Sequence, residues 1–595
     1  MMTDPLQARL ELAVQRAFEE LFDAEVTLKQ IGFQPTRPEF EGDVTMNVFP
    51  FLKLSGKAPE ATATAIGEFL AREEPVVARF NVIKGFLNLV IADSYWLGFL
   101  QEAGNRDILT LPSTGKKVMV EYASPNTNKP LHLGHMRNIF LGHSVSRILE
   151  SAGNQVVRVQ VVNDRGIHIC KSMVAWQKFG NGETPQSSGL KGDKLVGKYY
   201  VEFDKELKKQ VQEQEAAGKP KEQAEKEAPV LLEAQEMLRK WEANDPTVRA
   251  LWSTMNGWVY EGFRETFKAM NVPEFDKNYY ESQTYVLGKE DVLKGLEKGV
   301  FYEKDGAVWV DNTAEGLDEK VLLRRDGTSV YMTQDIGTAI KRFEEYPGLS
   351  QLIYTVGNEQ DYHFKVLFII LKKLGFPWAS ELHHLSYGMV DLPSGKMKSR
   401  EGTVVDADDL IEEVVNEART MGEQLSKLDD FSAEEKAQLF EQIGLAAVKY
   451  YLLKVDPKKR MLFDPAASID LQGHTGPFIQ YTYARIRSLV RKAGDIGSWA
   501  PEGTGALLTE ERAVIKLLHQ LPSVLQESAA KLDPATLANH TYELVKAYNS
   551  FYQTVPVLKE EDTAKRTFRL SLSAAVADST KKAMWCLGIE VPERM

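Results

Sequence analysis

The chain has 595 residues, of which 43% are hydrophobic and 26% are charged, and its formal net charge is −12. This length predicts three or four globular domains, and the acidic balance does not indicate a general nucleic-acid binder. We find no apolar run long enough for a membrane helix, and two isolated cysteines, Cys170 and Cys586, provide neither a disulfide framework nor a zinc motif, which favours a reducing cytoplasm.

Residues 1–107 are expected to form a small α+β domain. Residues 10–21 have the amphipathic, polar pattern of a helix and not the pattern of a signal peptide. Residues 81–91 predict a β-hairpin with its turn at Gly85. A linker follows at residues 104–115.

Residues 116–170 predict a β-α-β unit that carries the most informative motif of the chain. An apolar strand at 118–122 leads through a turn-rich segment to His132-Leu-Gly-His135, which opens a helix. Two histidines in the first turn can donate hydrogen bonds to phosphate oxygens, and Gly134 lets a flat ligand approach the backbone. The alternative is a pair of structural histidines. A buried parallel strand follows at 156–162.

Residues from about 178 to 325 are expected to form an insertion between two halves of one sheet. It contains solvated helices, with both charge signs alternating at 205–240, and short strands near Tyr302 and at 308–310. The α/β pattern then returns, with strands predicted at 329–333, 352–356 and 382–390 and a helix at 364–374. From Ala407 onward the chain is expected to be almost entirely helical.

A basic segment, Lys396-Met-Lys-Ser-Arg400, follows the last of these strands. Together with the histidine pair, it suggests activation by adenylyl transfer from ATP. Residues 461–595 carry as many basic as acidic side chains. Local basic groups in this part, such as Arg487 and Arg491, could contact phosphates, although a solvated helix face is the simpler interpretation.

These motifs resemble those of the arginyl-tRNA synthetases, which are class I aminoacyl-tRNA synthetases. His132-Leu-Gly-His135 is similar to the class I "HIGH" signature. The segment before it, Glu121-Tyr-Ala-Ser-Pro-Asn-Thr-Asn-Lys-Pro130, is similar to the segment that precedes this signature in the arginyl subgroup. Further resemblance is carried by Tyr331-Met-Thr-Gln-Asp335, by Gln360-Asp-Tyr-His363, by residues 468–480 and by residues 587–595. The motifs occur in the family's order from the N-terminal domain to the last residue.

The fold class implied is multidomain α/β, with a Rossmann-type class I synthetase catalytic core that a connective insertion divides. The resemblance implies an α+β N-terminal domain at 1–107 that contacts tRNA, a catalytic domain at 108–405, a helical stem-contact region at 406–460 and an all-α anticodon-binding domain at 461–595. It also implies ATP with Mg²⁺, L-arginine and the tRNA for arginine as ligands, a monomeric state, and arginine activation that requires bound tRNA.

The resemblance also implies roles for individual residues in ATP chemistry. His132, Gly134 and His135 match the phosphate-contacting helix start, and Gly357, Asn358 and Met397 match positions near the nucleotide. The basic segment departs from the family's "KMSK" signature, because Lys398 stands where Ser is usual and Ser399 where the second Lys is usual. Lys129, Lys396, Lys398 and Arg400 are therefore all candidates for the pyrophosphate charge.

Selection of arginine calls for carboxylates, because a guanidinium is planar, always charged and rich in donors. Glu121 and Asp335 match the family's guanidinium-reading positions, and Asn126, Tyr331 and Gln360 match other substrate contacts. An ordinary salt bridge, or for Asp335 a helix cap, is the alternative. Arg165 stands where the family usually has Trp, and we expect it near the active site without assigning it a role.

For tRNA, the resemblance implies a D-loop contact by Asn88, whereas Tyr483, Arg485 and Trp585 are candidates for the helical domain. Alternatives remain for the protein as a whole. They are another class I synthetase, such as a glutamyl or cysteinyl type, a smaller nucleotidyltransferase that shares the histidine motif, and a catalytically silent tRNA-binding paralogue. The missing zinc ligands disfavour the cysteinyl type, and the long helical C-terminal part disfavours the small transferase.

Overall fold

The computed structural model describes residues 5–37, 39–104, 106–392, 405–424, 428, 430–497, 499–501 and 504–595. No helix in these ranges is long and apolar enough to cross a membrane. Cys170 and Cys586 are both buried as free thiols.

The N-terminal part is an antiparallel sheet covered by helices, as predicted. Its elements are α1 (Pro5–Phe22), β1 (Phe33–Pro35), β2 (Val44–Asn47), α2 (Leu52–Ser55), α3 (Pro59–Glu73), β3 (Val77–Ile83), β4 (Phe86–Ile91) and α4 (Asp93–Ala103). The sheet order is β1-β2-β4-β3, and the predicted hairpin is β3–β4, with Lys84 and Gly85 in its turn at positive φ. Leu10, Phe18 and Leu89 belong to the core beneath α1 and α3.

The central part is built on a parallel sheet. Its elements are β5 (Lys117–Glu121), α5 (Leu133–Ser151), β6 (Gln155–Val162), α6 (Ile167–Phe179), α7 (Pro185–Ser188), α8 (Gly192–Ala216), α9 (Lys221–Glu227), α10 (Pro229–Glu242), α11 (Pro246–Ala269), β7 (Lys277–Tyr280), α12 (Glu281–Thr284), α13 (Lys289–Glu297), β8 (Tyr302–Lys304), β9 (Ala307–Val310), β10 (Lys320–Leu323), α14 (Tyr331–Glu345), β11 (Leu349–Gly357), α15 (Asp361–Lys373), β12 (Leu382–Tyr387) and β13 (Val390–Asp391).

Five strands form the main sheet in the order β12-β11-β5-β6-β7, with every neighbouring pair parallel. Gly142 lets α5 lie against this sheet, because a Cβ there would stand 2.3 Å from the Cβ of Tyr122. The carboxyl ends of all five strands meet at one edge, which is where open α/β sheets bind ligands.

The predicted insertion at 178–325 does not lie entirely outside the main sheet. Its first half is helical, as expected, but β7 returns to the main sheet and pairs with β6. A separate antiparallel sheet, β10-β9-β8, follows and contains the two short strands that the sequence predicts. The sequence does not predict β7, because this strand begins with two polar residues and only Tyr279 of its four residues is buried.

The strand predicted at 329–333 is wrong, because α14 begins at Tyr331. Val330 and Tyr331 are β-branched and aromatic, which is typical of a strand. Met332, Ile336 and Ile340, however, are buried at the spacing of one helix face. The strands predicted at 352–356 and 382–390 and the helix at 364–374 are present, with β13 separated from β12 by Gly388 and Met389.

The rest of the chain is helical, as predicted. Its elements are α16 (Ala407–Gln424), α17 (Ala433–Leu453), β14 (Met461–Leu462), α18 (Pro465–Ser468), α19 (Gly476–Ala493), α20 (Thr509–Lys531), α21 (Pro534–Thr554) and α22 (Thr563–Cys586). Helix α5 reaches this part directly, since Ser144 Oγ donates to the Cys586 carbonyl at 3.0 Å. The N-terminal part also contacts it, with Tyr95 Oη 2.9 Å from His519 Nε2. The domain bounds given above stay predictions.

Candidate active site

A cavity of about 1160 Å³ opens at the carboxyl edge of the main sheet. Five of the predicted residues line it, and they come from three separate segments of the chain: Asn126, Lys129, Tyr331, Asp335 and Gln360. The segment between β5 and α5 is held at this edge, because Asn126 forms a parallel bridge with Asn163, the residue after β6. The fold thus brings together side chains that are more than 200 residues apart in sequence.

His132 and His135 lie at the start of α5, shortly after Lys129 in sequence, and neither is among the described residues that line the cavity. His132 is the N-cap of α5, and its Nδ1 accepts from the Gly134 N–H at 3.2 Å. The Nδ1 of His135 in turn accepts from the His132 N–H at 3.2 Å. In a neutral imidazole, an accepting Nδ1 leaves the proton on Nε2. A Cβ at position 134 would stand 3.1 Å from His132 Cε1, so Gly134 lets this ring pack against the helix start.

Both histidines are neutral at physiological pH. Burial, together with the nearby Lys129 charge, lowers the pKa of His132 to about 3. Burial, His132 and Lys129 hold the pKa of His135 well below its usual value. The helix start therefore offers two uncharged Nε2–H donors, with the Lys129 charge nearby.

Asp335 lies on the cavity wall and is not a helix cap. It is one turn inside α14, whose N-cap is Val330. Its carboxylate lies 2.6 Å from the Nε2 of His363 on α15. Tyr331 is 75% exposed at the rim, and Gln360 is exposed at the start of α15.

Glu281 is a cavity residue that the sequence reasoning missed. It is the first residue of α12, directly after the unpredicted strand β7. The pKa of its carboxyl is raised to about 7, mainly by burial; the Arg165 charge opposes this rise, and the carboxylates of Asp164 and Asp335 contribute to it. Two carboxyl groups thus stand close enough to influence each other in one cavity.

Asp164 holds the start of α12 in place. Its carboxylate accepts from the backbone N–H and the hydroxyl of Ser282, both at 2.8 Å, and from the Tyr260 hydroxyl at 3.0 Å. Because Ser282 follows Glu281 directly, these bonds fix where the Glu281 side chain begins. Asp164, which directly precedes Arg165, therefore supports the cavity structurally.

Glu121 lies beneath the cavity and is not among the described residues that line it. Its carboxylate forms an ion pair with Arg342, which is buried between the rings of Tyr279 and Tyr354. The ordinary salt bridge is therefore the arrangement in this structure. A contact between Glu121 and a substrate guanidinium stays a prediction.

Arg165 lies on the cavity wall, as expected from its place after β6. Its guanidinium lies 3.9 Å from the Tyr285 ring centroid and pairs with Glu242. An aromatic contact and a counter-charge from the insertion thus hold this cation near Glu281.

Gly357 ends β11, and Asn358 is exposed directly after it at the carboxyl edge of the sheet. Both positions are where a nucleotide is expected, and their contacts stay predictions. Lys396, Met397, Lys398 and Arg400 lie outside the described residues.

Two of the residues predicted to contact tRNA are buried in this structure, and their contacts with tRNA stay predictions. Asn88 is 1% exposed and bonds to Thr45 and Asn81, because the segment around Gly42 covers that face of β4. Tyr483 is also 1% exposed and donates to the Glu593 carboxylate at 2.6 Å. Neither side chain offers a surface to a nucleotide.

The other two residues lie at surface cavities. Arg485 lines a cavity of about 450 Å³ together with Tyr481, Asn549 and Met595. Its guanidinium is 4.8 Å from the Tyr481 ring centroid, and its Nη1 donates to Asn549 Oδ1 at 2.8 Å. Trp585 is 37% exposed, with the cations of Arg147 and Lys582 within 4.6 Å of its ring centroid.

Comparison with known proteins agrees with this geometry. Residues 104–464 match the family model "tRNA synthetases class I (R), catalytic domain", and residues 479–595 match "DALR anticodon binding domain". The chain is 55% identical to the arginine–tRNA ligase of Flavobacterium psychrophilum over 606 residues, covering 99% of this chain and 100% of that protein. It is also 55% identical to that of Bacteroides thetaiotaomicron over 597 residues, with the same coverage.

A solved structure of Thermus thermophilus arginyl-tRNA synthetase superposes with a TM-score of 0.78 at 25% identity, covering 99% of this chain and 100% of that chain. The catalytic-domain model alone matches more than half of the sequence. The parallel sheet, the histidine-capped helix at its edge and the helical C-terminal domain therefore have a common explanation: the chain belongs to the class I arginyl-tRNA synthetases.

Proposed function

We propose that this enzyme attaches L-arginine to its tRNA in two steps at the cavity described above. In the first step an arginine carboxylate oxygen bonds to the α-phosphorus of ATP, the bond from that phosphorus to the β-phosphate breaks, and pyrophosphate leaves. In the second step a hydroxyl of the terminal tRNA ribose attacks the arginyl carbonyl carbon, and AMP leaves. The observation that carries this proposal is one cavity with two neighbouring carboxyl groups and, beside it, two neutral imidazole donors at a helix start.

The phosphates of ATP belong at the N-terminus of α5 in this proposal. The Nε2–H groups of His132 and His135 donate to phosphate oxygens, and Lys129 adds a positive charge. Lys396, Lys398 and Arg400 remain candidates for the pyrophosphate charge, and Gly357, Asn358 and Met397 for the rest of the nucleotide. Mg²⁺ would accompany ATP and neutralise phosphate charge; the described part of the chain contains no cluster of carboxylate, histidine or cysteine side chains that could hold it without the nucleotide.

The substrate guanidinium belongs between Asp335 and Glu281. A buried guanidinium requires counter-charges and acceptors in its plane, which two carboxylates supply. Asn126, Gln360 and Tyr331 surround this position, and Glu121 supports it from below through Arg342. Lysine lacks the planar fork of donors and is selected against.

The affinity for arginine is expected to fall in mild acid. Because the pKa of the Glu281 carboxyl is about 7, this group is protonated in the free enzyme at lower pH and must lose its proton to pair with the substrate. The KM for arginine therefore rises about tenfold per pH unit below 7 and is constant above. Pyrophosphate exchange at saturating ATP from about pH 5.5 to 8.5 measures this; Glu281→Gln should remove the slope, and a flat wild-type profile contradicts the assignment.

A tRNA base is proposed to bind in the cavity that contains Tyr481, Arg485 and Met595. Leu439, Phe440 and Ile443 give this cavity an apolar side, and Asn549 and Arg485 supply polar groups. An aromatic surface beside a guanidinium is a platform on which an unpaired base can stack. Trp585 stays a candidate for a second contact.

Tyr481→Ala should weaken tRNA binding, whereas Tyr481→Phe should not. Stacking on an aromatic side chain contributes about 1–3 kcal/mol per base, which corresponds to roughly 5- to 150-fold in affinity. Filter binding of the tRNA and the KM for tRNA in aminoacylation measure the change. Equal losses in both variants would show that the hydroxyl, and not the ring, makes the contact.

Exchange of pyrophosphate into ATP tests the proposed function itself. Arginine, lysine, glutamate and cysteine are compared, each with and without the tRNA for arginine. Exchange with arginine alone, and only when tRNA is bound, supports both the pocket and tRNA-dependent activation. Exchange with another amino acid overturns the roles of Asp335 and Glu281. We further propose that the protein acts as a monomer in the cytoplasm, and light scattering with and without tRNA tests the first point.

A further inference from the structure

Arg137 is a buried cation that the sequence reasoning did not single out. It lies on α5, two residues after His135, and is only 2% exposed. Its Nη1 donates to the carbonyls of Gly388 at 2.7 Å and Met389 at 3.3 Å, and its Nη2 donates to those of Pro457 at 3.1 Å and Lys459 at 2.8 Å. Burial lowers its pKa only to about 10, so the guanidinium stays charged at neutral pH.

The four carbonyls belong to two segments that are paired with each other. Gly388 and Met389 precede β13, and Pro457 and Lys459 precede β14; β13 and β14 are parallel partners. The Gly388 N–H also donates to the Pro457 carbonyl at 2.9 Å. A single planar guanidinium therefore fastens both strands of the β13/β14 pair to the first turns of α5.

The next residue, Asn138, ties the same turn of α5 to the sheet edge. Its Oδ1 accepts from the Ala123 N–H at 2.6 Å, and its Nδ2 donates to the Thr355 carbonyl at 2.7 Å and the Tyr387 hydroxyl at 3.1 Å. Ala123 has a φ of 69°, a left-handed conformation that is costly for alanine and that this bond helps to hold. Asn138 thus sets α5 against β5, β11 and β12, whereas Arg137 sets the β13/β14 pair against α5.

We propose that Arg137 is a positioning residue for the adenylation step. It holds the β13/β14 pair, from which the chain continues into the basic segment, at a fixed place relative to His132 and His135. Downstream of the segment, the chain is joined to the same helix start independently, because the Ala407 N–H donates to the Leu131 carbonyl at 2.9 Å. The inference rests on the proposed function, in which the basic segment and the two histidines act on the same phosphates.

Three variants test this role: Arg137→Lys, Arg137→Met and, as a control, Arg158→Met. Lysine keeps the charge but not the planar fork, so it cannot serve carbonyls of both segments in the same way. Arg158 is a partly buried arginine of β6 that pairs with Glu150 and lies away from the cavity. Thermal melting, the kcat of pyrophosphate exchange and the separate KM values for ATP and arginine are measured with tRNA present.

We expect kcat to fall about tenfold in Arg137→Lys and about a hundredfold in Arg137→Met, with the KM for arginine changed less than about threefold, since small displacements of reacting groups act on the chemical step. Amide hydrogen exchange should increase at residues 388–391 and 459–462 but not in β11. Arg158→Met should melt earlier yet keep the wild-type kcat.

Three results would overturn the inference. They are a wild-type kcat in folded Arg137→Lys, a kcat loss no larger than that of Arg158→Met, or a rise in the KM for arginine that matches the loss in kcat. If Arg137→Met does not fold, Arg137→Lys and hydrogen exchange decide alone. Failure of the proposed function is visible separately, as absence of arginine-dependent exchange in the wild-type enzyme.

Discussion

Asp335→Asn and Glu281→Gln are each expected to raise the KM for arginine by about 30-fold or more. Both changes keep the size of the side chain and remove one negative charge from the cavity. A guanidinium remains charged at any accessible pH, so it cannot adapt by losing a proton. Removing one partner of a buried, hydrogen-bonded charge pair costs roughly 2–5 kcal/mol, and 1.4 kcal/mol corresponds to about tenfold in affinity.

Pyrophosphate exchange and aminoacylation, each measured across a range of arginine concentrations, report this effect. Glu344→Gln is the matched control, because Glu344 lies on the same helix as Asp335 but is exposed and does not line the cavity. The KM for ATP should stay at the wild-type value in all three variants. An unchanged KM for arginine in Asp335→Asn or in Glu281→Gln would remove that residue from the pocket.

The same experiment separates the role of Glu121 from that of the cavity carboxylates. Glu121 pairs with the buried Arg342, so Glu121→Gln leaves that cation without its counter-charge. Removing one member of a buried ion pair mainly destabilises the fold. A lowered melting temperature with little change in the KM for arginine would show that Glu121 has a structural role. A raised KM for arginine with an unchanged melting temperature would show that Glu121 binds the substrate directly.

Much of the catalytic core could be predicted because its signals are local in sequence. The apolar strand before His132, the helix that begins there and the buried strand at 155–162 are each specified by their own residues. The cavity residues between 126 and 129 follow from this frame, since a loop after a parallel strand must lie at its carboxyl edge.

Glu281 could not be found in the same way. The strand directly before it, β7, has only four residues, two of them fully polar, and pairs with β6 more than 100 residues away in sequence. No apolar run predicts such an edge strand. A single glutamate after it has no sequence feature that distinguishes it from an ordinary surface glutamate. Its significance comes from tertiary neighbours, namely Asp164, Arg165 and Asp335.

The burial of Asn88 and Tyr483 could not be predicted from the sequence for a related reason. Alternation along β4 suggests one exposed face, but the segment around Gly42 covers the face that holds Asn88. Tyr483 lies on an amphipathic helix, and its neighbour Glu593 is 110 residues away in the C-terminal tail. A sequence shows which side chains could face a nucleic acid, but burial by distant segments decides which of them do.

His132→Ala and His135→Ala are each expected to lower the kcat of arginine-dependent exchange by about 10²–10³-fold. The Nδ1 atoms accept backbone N–H groups of the helix start, which leaves Nε2–H free to meet charge that develops on phosphate oxygens. Loss of one preorganised donor to a developing oxyanion costs this much in other enzymes. The KM for arginine should be nearly unchanged, because the two carboxylates of the cavity are untouched.

His143→Ala supplies the control for stability. His143 lies on the same helix and is 1% exposed, but it packs near Gly588 and Lys449, away from the cavity. This variant should melt at a lower temperature than the wild type and retain its kcat. An equal kcat loss in His143→Ala would mean that disturbing α5 anywhere, rather than removing a phosphate donor, explains the effect.

The pH dependence distinguishes a neutral donor from a charged one. Because the pKa of His132 is about 3, its imidazole is uncharged throughout the range from about pH 6 to 8.5, and the ratio of wild-type to His132→Ala kcat should be constant there. If the imidazolium were the active form, protonation near the ordinary value of about 6.5 would make this ratio rise as the pH falls. A constant ratio therefore supports catalysis by a neutral donor whose proton is held on Nε2 by the helix cap, and a rising ratio contradicts it.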